Sequence, residues 1–415
     1  MVATSIRERP LLIALAFVQF TNVMDFMIMM PLSPIFLKEF GITPTEFGLL
    51  VASYSISAGI VSFLCAFFID RFDRRKVMLF AYAFFIVGTL ACGFSSTYGM
   101  LLFARIFTGM FGGVLSSILL SIVGDAVPME RRASAIGLVM TGFSAAAVLG
   151  IPIGSFVATH FSWHVPFFSI AIMAAGTFTG IVLLIPKMTG HIAEAKKRDV
   201  FHAFGEIFFN SNRLRGLLLM VLLMFGHFSI IPYIPQYMVH NVGITQEQVP
   251  LIYLVGGLCS VFVLRWVGKL SDRFGSFKIF TGLSMLALFP IFAITNMPKE
   301  GLVMVLFISA FIFIFGGSRS VPANAMITAT AEPHQRGGFL SLNAATQQLA
   351  AGLASFFGGM MISGGPEEPI VNYHHVGWMA ACASLLAIPV AYFVRPVRKQ
   401  TVPAEEVKLP EETMA

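Results

Sequence analysis

Ala66-Phe67-Phe68-Ile69-Asp70-Arg71-Phe72-Asp73-Arg74-Arg75-Lys76 is a knot of charge between two long apolar runs. It has an echo at Gly268-Lys269-Leu270-Ser271-Asp272-Arg273-Phe274-Gly275. The shared core, Asp-Arg-Phe, returns at an offset of 272 − 70 = 202 residues, close to half of the 415-residue chain. A charged loop repeated at half the chain length, each time between apolar segments, predicts two related halves embedded in a membrane.

Two further anchors extend the repeat. Asp25-Phe26 opens a run ending Gly41-Ile42-Thr43, and His227-Phe228 opens one ending Gly243-Ile244-Thr245, with 227 − 25 = 202. Ala126-Val127-Pro128-Met129-Glu130-Arg131 aligns with Ala331-Glu332-Pro333-His334-Gln335-Arg336, with 331 − 126 = 205. Parallel repeats of this kind place a substrate site between the halves, near the bilayer midplane.

Composition agrees. The chain is 57% hydrophobic and 12% charged, against about 25% charged for a typical soluble protein. Its mean hydropathy is +0.82. A spanning helix needs about 20 mostly apolar residues. Twelve such segments are predicted, over 11–38, 46–70, 76–96, 99–124, 133–157, 164–186, 214–240, 247–270, 277–296, 301–328, 338–363 and 375–395. The fold class is therefore all-α, a polytopic membrane protein of 12 transmembrane helices in two pseudo-symmetric six-helix bundles. The bundles are expected over 1–186 and 214–395. A basic linker, 187–213, joins them, and Val200–Phe209 within it is suited to lie on the membrane surface as an amphipathic helix. A disordered tail is expected over 396–415.

The net charge of +6 follows topology rather than nucleic acid. One set of helix ends carries Arg7, Arg9, Arg71, Arg74, Arg75, Lys76, Arg131, Arg132, Lys269, Arg273, Lys278, Arg336 and Arg395, while the other carries Lys38 and Lys299. Lys and Arg concentrate on the cytoplasmic side, so both termini and the linker are expected there. The first apolar run is far longer than a signal h-region and reads as an uncleaved spanning helix. Cys65, Cys92, Cys259 and Cys382 stand singly, without metal-ligand spacing. No G-x-x-x-x-G-K-[ST], no H-E-x-x-H and no Ser/His/Asp constellation is present. The chain is thus expected to be neither ATP-driven nor an enzyme, with no catalytic residues, metal or cofactor.

At this point the chain resembles the major facilitator superfamily, over essentially its whole length. The loop after helix 2 is similar to that family's G-x-x-x-D-R-x-G-R-R, with Ala66 and Asp73 in place of the glycines. The second copy keeps Gly268 and Gly275 but lacks the basic pair. Arg105-Ile106-Phe107-Thr108-Gly109 resembles the helix 4 R-x-x-x-G. Gly150-Ile151-Pro152-Ile153-Gly154 resembles the G-x-P-x-G antiporter motif of bacterial drug and arabinose efflux members, as does Arg336-Gly337-Gly338 with Asn343 and Gln347. The resemblance implies rocker-switch transport of a small molecule across a bacterial inner membrane, driven by a proton gradient. It also implies a cytoplasmic gate at Asp70, Arg71, Arg74, Arg75, Asp272 and Arg273, where the acid caps a helix of the other half. The bland alternative is that this cluster only enforces topology. Gly150, Pro152 and Gly154 are expected to bend helix 5 so that it seals against the other half; ordinary helix packing is the alternative.

Asp25 is the most informative single residue, an acid in mid-helix among methionines. An unpaired carboxylate there costs roughly 2.5–3.5 kcal/mol on insertion scales, so its retention points to proton exchange, or else to a structural ion pair with Arg105. His227, its repeat partner, suits proton transfer by its ordinary titration range, or it is simply hydrogen-bonded to a neighbour. Arg105 lies about six residues in from its helix end and is within reach of Asp25. The family resemblance assigns such an arginine a part in proton coupling. Arg319 has no repeat counterpart; it either faces the cavity and binds an anionic group or pairs with helix-end carbonyls. Gln19, Asn22, Tyr54, Thr141, Tyr233, Gln236, Asn324, Asn343 and Gln347 lie on helices that line the cavity in this superfamily.

Three readings follow. The first is a proton-coupled exporter of a small amphipathic compound, a drug or metabolite, acting as a monomer in the lipid bilayer with protons and substrate as its partners. The second is a symporter or uniporter for a sugar, organic acid or other metabolite. The third is a transport-inactive sensor or scaffold, which would need no acid in the membrane.

Overall fold

The computed structural model of the chain describes residues 8–128, 131–189, 192, 210–331 and 336–396, without the side chains of positions 66, 68, 70, 133, 336 and 337. The surface helix expected over 200–209 and the tail beyond 396 lie outside the described residues. Eleven helices among the described residues are long and apolar enough to cross a membrane. They are α1 (Glu8–Met27), α2 (Pro44–Phe68), α3 (Arg74–Gly93), α4 (Tyr98–Ala126), α5 (Ser134–His160), α6 (His164–Leu184), α7 (Ser211–Val242), α8 (Gln246–Phe274), α9 (Ser276–Thr295), α10 (Leu302–Thr328) and, last in the chain, α12 (Tyr373–Phe393). The remaining long helix, α11 (Arg336–Met360), has the length at 25 residues. Its middle holds Asn343, Thr346, Gln347 and Gln348, which dilute its hydropathy.

Side-chain caps set several boundaries. Thr43 begins α2 with a capping box, its hydroxyl accepting from the Glu46 amide while Glu46 reaches back to the Thr43 amide. Thr97 accepts from the Met100 amide at the start of α4, and Asn210 accepts from the Asn212 and Arg213 amides at the start of α7. Asp73 caps α3 by accepting from the Arg75 amide at 3.0 Å.

Two expected helices are broken. The first was expected to run unbroken over 11–38, but α1 ends at Met27 and a short helix, Ser33–Phe40, follows a turn. The α-helical part of α7 ends at Phe228, followed by a 3-10 turn, Ile231–Tyr233. The breaks fall at matching points of the repeat, and proline is their cause. Pro31 and Pro34 in the first half match Pro232 and Pro235 in the second (232 − 31 = 235 − 34 = 201). A proline has no N–H to give the preceding turn and its ring clashes with the carbonyl four residues back. Further on, α5 contains a π turn, Ala146–Gly150, just before Pro152, and α10 contains another over Ile312–Gly317.

Three apolar cores hold the bundle. One draws on both halves: Met29, Met30, Phe36, Phe47 and Trp163 from the first pack with Ile231, Tyr237, Ile252, Ile308 and Tyr373 from the second. A second core is built wholly from the first six helices, with Leu11, Met78, Phe85, Ile118, Val123 and Ile181 at its centre. The third is built from α7 and the helices after it, with Phe63 and Phe67 of α2 packed against its edge. The shared core lies at the end opposite the termini. At the terminal, basic end each half has a core of its own. The two halves also meet along α2 and α11 and where α5 meets α8.

Polar contacts follow the same division. At the opposite end, Gln246 Nε2 donates to the Pro31 carbonyl at 3.2 Å, Thr45 Oγ1 to the Gly359 carbonyl at 3.0 Å, and Lys38 pairs with Glu367 at 2.7 Å. Each of these joins the halves. At the basic end, Arg131 pairs with Glu8 at 2.8 Å within the first half, and Asn212 and Arg395 exchange two bonds within the second.

Candidate functional site

Asp25 sits two residues before the end of α1, and Arg105 reaches it from α4. Both side chains are wholly buried, and Arg105 Nη1 lies 2.8 Å from Asp25 Oδ2. The same nitrogen donates to the Asp25 backbone carbonyl at 3.0 Å. Thr89 of α3 donates to Asp25 Oδ1 at 3.0 Å. Three helices thus meet here: α1 carries the carboxylate, α4 sets a cation on one oxygen and α3 a hydroxyl on the other. Burial in a low dielectric favours the neutral acid, while a cation at contact distance favours the anion. The site sets these two effects against each other.

The rest of the site grows from α2. The guanidinium carbon of Arg105 lies 4.3 Å from the centroid of the Tyr54 ring, a cation–π contact in a desolvated setting. Tyr54 Oη donates to Asn22 Oδ1 at 2.7 Å, and Asn22 Nδ2 donates to Ser116 Oγ at 3.1 Å. The Phe26 ring stacks on Tyr54 with centroids 5.4 Å apart. The helix 4 motif explains how α2 comes so close. A Cβ at Gly109 would collide with the Tyr54 backbone carbonyl and with the Ser57 hydroxyl. The motif arginine binds Asp25, and the motif glycine seats the tyrosine beneath it.

The repeat position in the second half is chemically different. His227 lies in α7 against α10, where its Nδ1 would be 3.0 Å from a Cβ at Gly316. Arg319 is 1% exposed; its Nε donates to the Gly316 carbonyl at 3.2 Å and its Nη1 to Ser384 Oγ of α12 at 2.6 Å. Of the two alternatives for Arg319, the geometry is that of a guanidinium packed among helices on a carbonyl and a hydroxyl. Gly226 of α7 leaves room for it, since a Cβ there would lie 2.7 Å from Arg319 Nη2.

The other expected residues divide. Tyr233 is buried and donates to the Ser355 carbonyl across to α11. Gln236 is fully buried, and among the described residues neither its amide atoms nor Asn343 Oδ1 has a hydrogen-bond partner. Gln19 and Gln347 are half-buried. Thr141 and Asn324 are exposed and bond to carbonyls of their own helices, Leu138 and Ser320. Gly150 and Gly154 pack on α1: a Cβ at Gly150 would lie 3.1 Å from Met24 Sδ, and one at Gly154 would lie 2.6 Å from Ile28 Cδ1. Helix α5 meets α8 of the other half at the π turn, where Ala147 and Val148 face Gly257, and along Ile151–His160. Just before Pro152 the π turn interrupts the regular ladder, with the Ile151 amide bonding back to the Ala146 carbonyl.

At the basic end, Arg74 Nε pairs with Asp125 Oδ2 at 3.0 Å, and Arg75 donates to the Val182 carbonyl at 2.6 Å. Asp73, which stands where the resemblance expects glycine, accepts from the Met188 amide at 3.0 Å as well as capping α3. Arg71 and Asp272 are exposed, and Arg273 lies over Phe274. The Asp70 side chain lies outside the described residues.

Sequence reasoning missed Thr89, Ser384 and the inter-half bonds of Lys38 and Gln246. Hydroxyls are common in spanning helices, so nothing in the sequence marked Thr89 or Ser384. The paired prolines were a legible signal for the helix breaks.

A sequence profile described as Major Facilitator Superfamily matches residues 15–318 and 279–414. The chain is 23% identical over 359 residues to the uncharacterised MFS-type transporter YbcL of Bacillus subtilis, covering 84% of this chain and 86% of that one. It is 25% identical over 358 residues to the transporter AraJ of Escherichia coli, covering 84% and 85%. Its fold is similar to that of a D-xylose-proton symporter, with a TM-score of 0.75 at 16% identity over 93% of this chain and 98% of that one. A bacterial homologue of the lysosomal transporter Spinster, in an inward-facing conformation, gives a TM-score of 0.68 at 16% identity over 93% and 94%. With its helical halves, its buried intramembrane ion pair and a family match across both halves, the chain belongs to the Major Facilitator Superfamily: it is a multi-pass membrane transporter and not an enzyme.

Proposed function

We propose that this transporter is a proton-coupled exporter of a small amphipathic compound. It works by rocking residues 1–186 against 214–395 in a bacterial inner membrane, with the proton gradient as its energy source. The observation that carries the reading is the wholly buried Asp25–Arg105 pair. Ionisable residues inside a membrane are costly and mark ion or substrate pathways. A proton arriving at Asp25 cancels the carboxylate and leaves Arg105 without its counter-ion, so occupancy by a proton changes the local charge by one unit. In the proposed cycle a proton from outside neutralises Asp25 and substrate leaves; loss of the proton inside restores affinity.

Orientation supports the same cycle. The basic end carries Arg74, Arg75, Arg131, Arg132, Lys269 and Arg273, against Lys38 and Lys299 at the other, which favours a cytoplasmic basic end and cytoplasmic termini. In that orientation the core shared by both halves lies outside and the separate cores lie inside, as in an inward-facing transporter. The chain is taken to act as a monomer.

A second reading, symport of an organic acid or sugar, is favoured by Arg319, whose charge meets a carbonyl and a hydroxyl but no ion-paired carboxylate among the described residues. A scaffold without transport gives no role to the buried Asp25.

Flux in proteoliposomes under an imposed pH gradient tests the reading, with a panel of dyes, antibiotics and metabolites as probes. Accumulation driven by an acidic interior is expected and identifies antiport. Accumulation driven by an acidic exterior identifies symport. Gradient-driven transport that survives Asp25→Asn undiminished refutes Asp25 as the proton site.

A further inference from the structure

The pseudo-symmetry mates Phe26 and Phe228 meet across the seam between the halves, their ring centroids 5.9 Å apart. Each stands at the end of a broken helix, since α1 stops at Met27 and the α-helical part of α7 at Phe228. Phe26 is also the chain neighbour of Asp25 and stacks on Tyr54, the ring that carries Arg105. A continuous run of aromatic contacts therefore leads from the ion pair to the opposite half.

We propose that Tyr54 and the Phe26–Phe228 contact form the link by which the charge state of the Asp25–Arg105 pair sets closure of the seam between the two halves. The proposal rests on the proton-coupled reading above. It assigns Tyr54, Phe26 and Phe228 a positioning role that neither the fold nor the charged loop implies.

The physical argument concerns what Arg105 holds in each state. With Asp25 ionised, Nη1 has the carboxylate and the Asp25 carbonyl, while Nε and Nη2 have no hydrogen-bond partner among the described residues. With Asp25 neutral, the carbonyl and the face of Tyr54 remain. A desolvated cation–π contact is stronger than a single aromatic pair, so the guanidinium settles further onto the ring. Tyr54 cannot follow, because its hydroxyl is tied to Asn22 and its backbone is lodged against Gly109. Phe26 is the movable partner, since the helix ends one residue later and the chain goes on around Pro31 through single turns, Met30 N–H to the Met27 carbonyl and Ser33 N–H to the Met30 carbonyl. Displacing Phe26 disturbs its contact with Phe228, one of the contacts that join the two halves. The titratable groups packed round the pair are Tyr54 and Cys92, the latter 3.8 Å from Thr108. On the far side of the seam stand His227, next to Phe228 in the chain, and Arg319.

The test uses the full chain in a Cys259→Ala, Cys382→Ala background, which leaves the buried Cys65 and Cys92 in place. Spin labels at Phe161→Cys and Lys299→Cys report the opening of the end opposite the termini. The distance between them is read by pulsed electron resonance from pH 5 to pH 9, with no substrate added. In the parent the open fraction is expected to change with pH, and Asp25→Asn is expected to abolish that change. Tyr54→Leu and Phe228→Leu, which keep apolar bulk but remove the aromatic faces, should each reduce the pH response about tenfold. Tyr54→Phe, which keeps the face, should retain it. A pH response that requires Asp25 yet persists in both leucine variants overturns the link and leaves the proton reading standing. A parent distance that ignores pH overturns the proton reading and the link with it. If Tyr54→Leu fails to fold, Phe228→Leu on the other half decides alone.

Discussion

Cutting the Asp25–Arg105 pair from either side should destabilise the protein strongly, and cutting it from both sides should not double the damage. Neither side chain is exposed to solvent, so no water takes up a charge that has lost its partner. In Arg105→Met the carboxylate keeps only Thr89, 3.0 Å from one oxygen. In Asp25→Asn the guanidinium keeps the Asp25 carbonyl and the Tyr54 face. Breaking a buried pair by removing one partner costs about 3–5 kcal/mol, or roughly two to three and a half powers of ten in the folded-to-unfolded ratio at about 1.4 kcal/mol per tenfold. The double variant Asp25→Asn/Arg105→Met strands no charge, and should recover about 2–3 kcal/mol of the summed single losses. Reversible unfolding in mixed micelles, followed by tryptophan fluorescence, measures all four corners of the cycle. Single losses that add to within about 0.5 kcal/mol in the double variant would show that the two residues do not act as a unit, and the site as described would be wrong.

Other outcomes follow from the same geometry. Gly109→Val should lower folded yield sharply, by at least the roughly 1–3 kcal/mol of an overpacked core, because the obstructing atom is the Tyr54 backbone carbonyl rather than a flexible side chain; expression and thermal stability in detergent check this. Asp73→Ala should cost about 1 kcal/mol from the lost α3 cap, and more from the freed Met188 amide, whereas Asp73→Asn should lose less; thermal unfolding of the two variants separates them. The Lys38–Glu367 bridge holds the Glu367 carboxyl below its ordinary 4.5 and the Lys38 amine above its ordinary 10.5. Its contribution to closure is therefore full between those values, fading as pH falls through the depressed carboxyl range or rises through the raised amine range. Glu367→Gln should raise the open fraction at pH 7 and flatten its acid dependence, as read by labels at that end. A bis-thiol-reactive linker joining Lys38→Cys and Glu367→Cys, long enough to replace the two side chains that meet there, should stop transport until it is cleaved; undiminished flux in the cross-linked protein would show that this end need not open.

Charge and apolar runs were legible because the bilayer penalises each polar residue wherever it falls along the chain. That is why the repeated Asp-Arg-Phe, the lysine and arginine asymmetry and the helix positions could be read off one by one. The isolated acid Asp25 and the arginine Arg105 stood out for the same reason. What faces what was not legible. That Gly150 and Gly154 would face α1 could not be read from the sequence, because helix rotation is set by packing partners distant in sequence. Thr89, Tyr54 and Asn22 became parts of one site only when three helices brought them together.

Taken alone, the sequence determined a helical membrane protein of two related halves, its polar asymmetry, and an acid and a base too expensive to be idle in the membrane. These are one-dimensional properties, each fixed by transfer from water to hydrocarbon. Tertiary structure alone decided that Asp25 and Arg105 share a bond, that Arg319 rests on a carbonyl and a hydroxyl, and that one apolar core closes the end opposite the termini. The charged loop that announced the repeat contributes caps and pairs within its own half: Asp73 to α3, Arg74 to Asp125. Contacts of that kind depend on the distance between residues far apart in the chain, and a dielectric argument applied residue by residue carries no information about that distance.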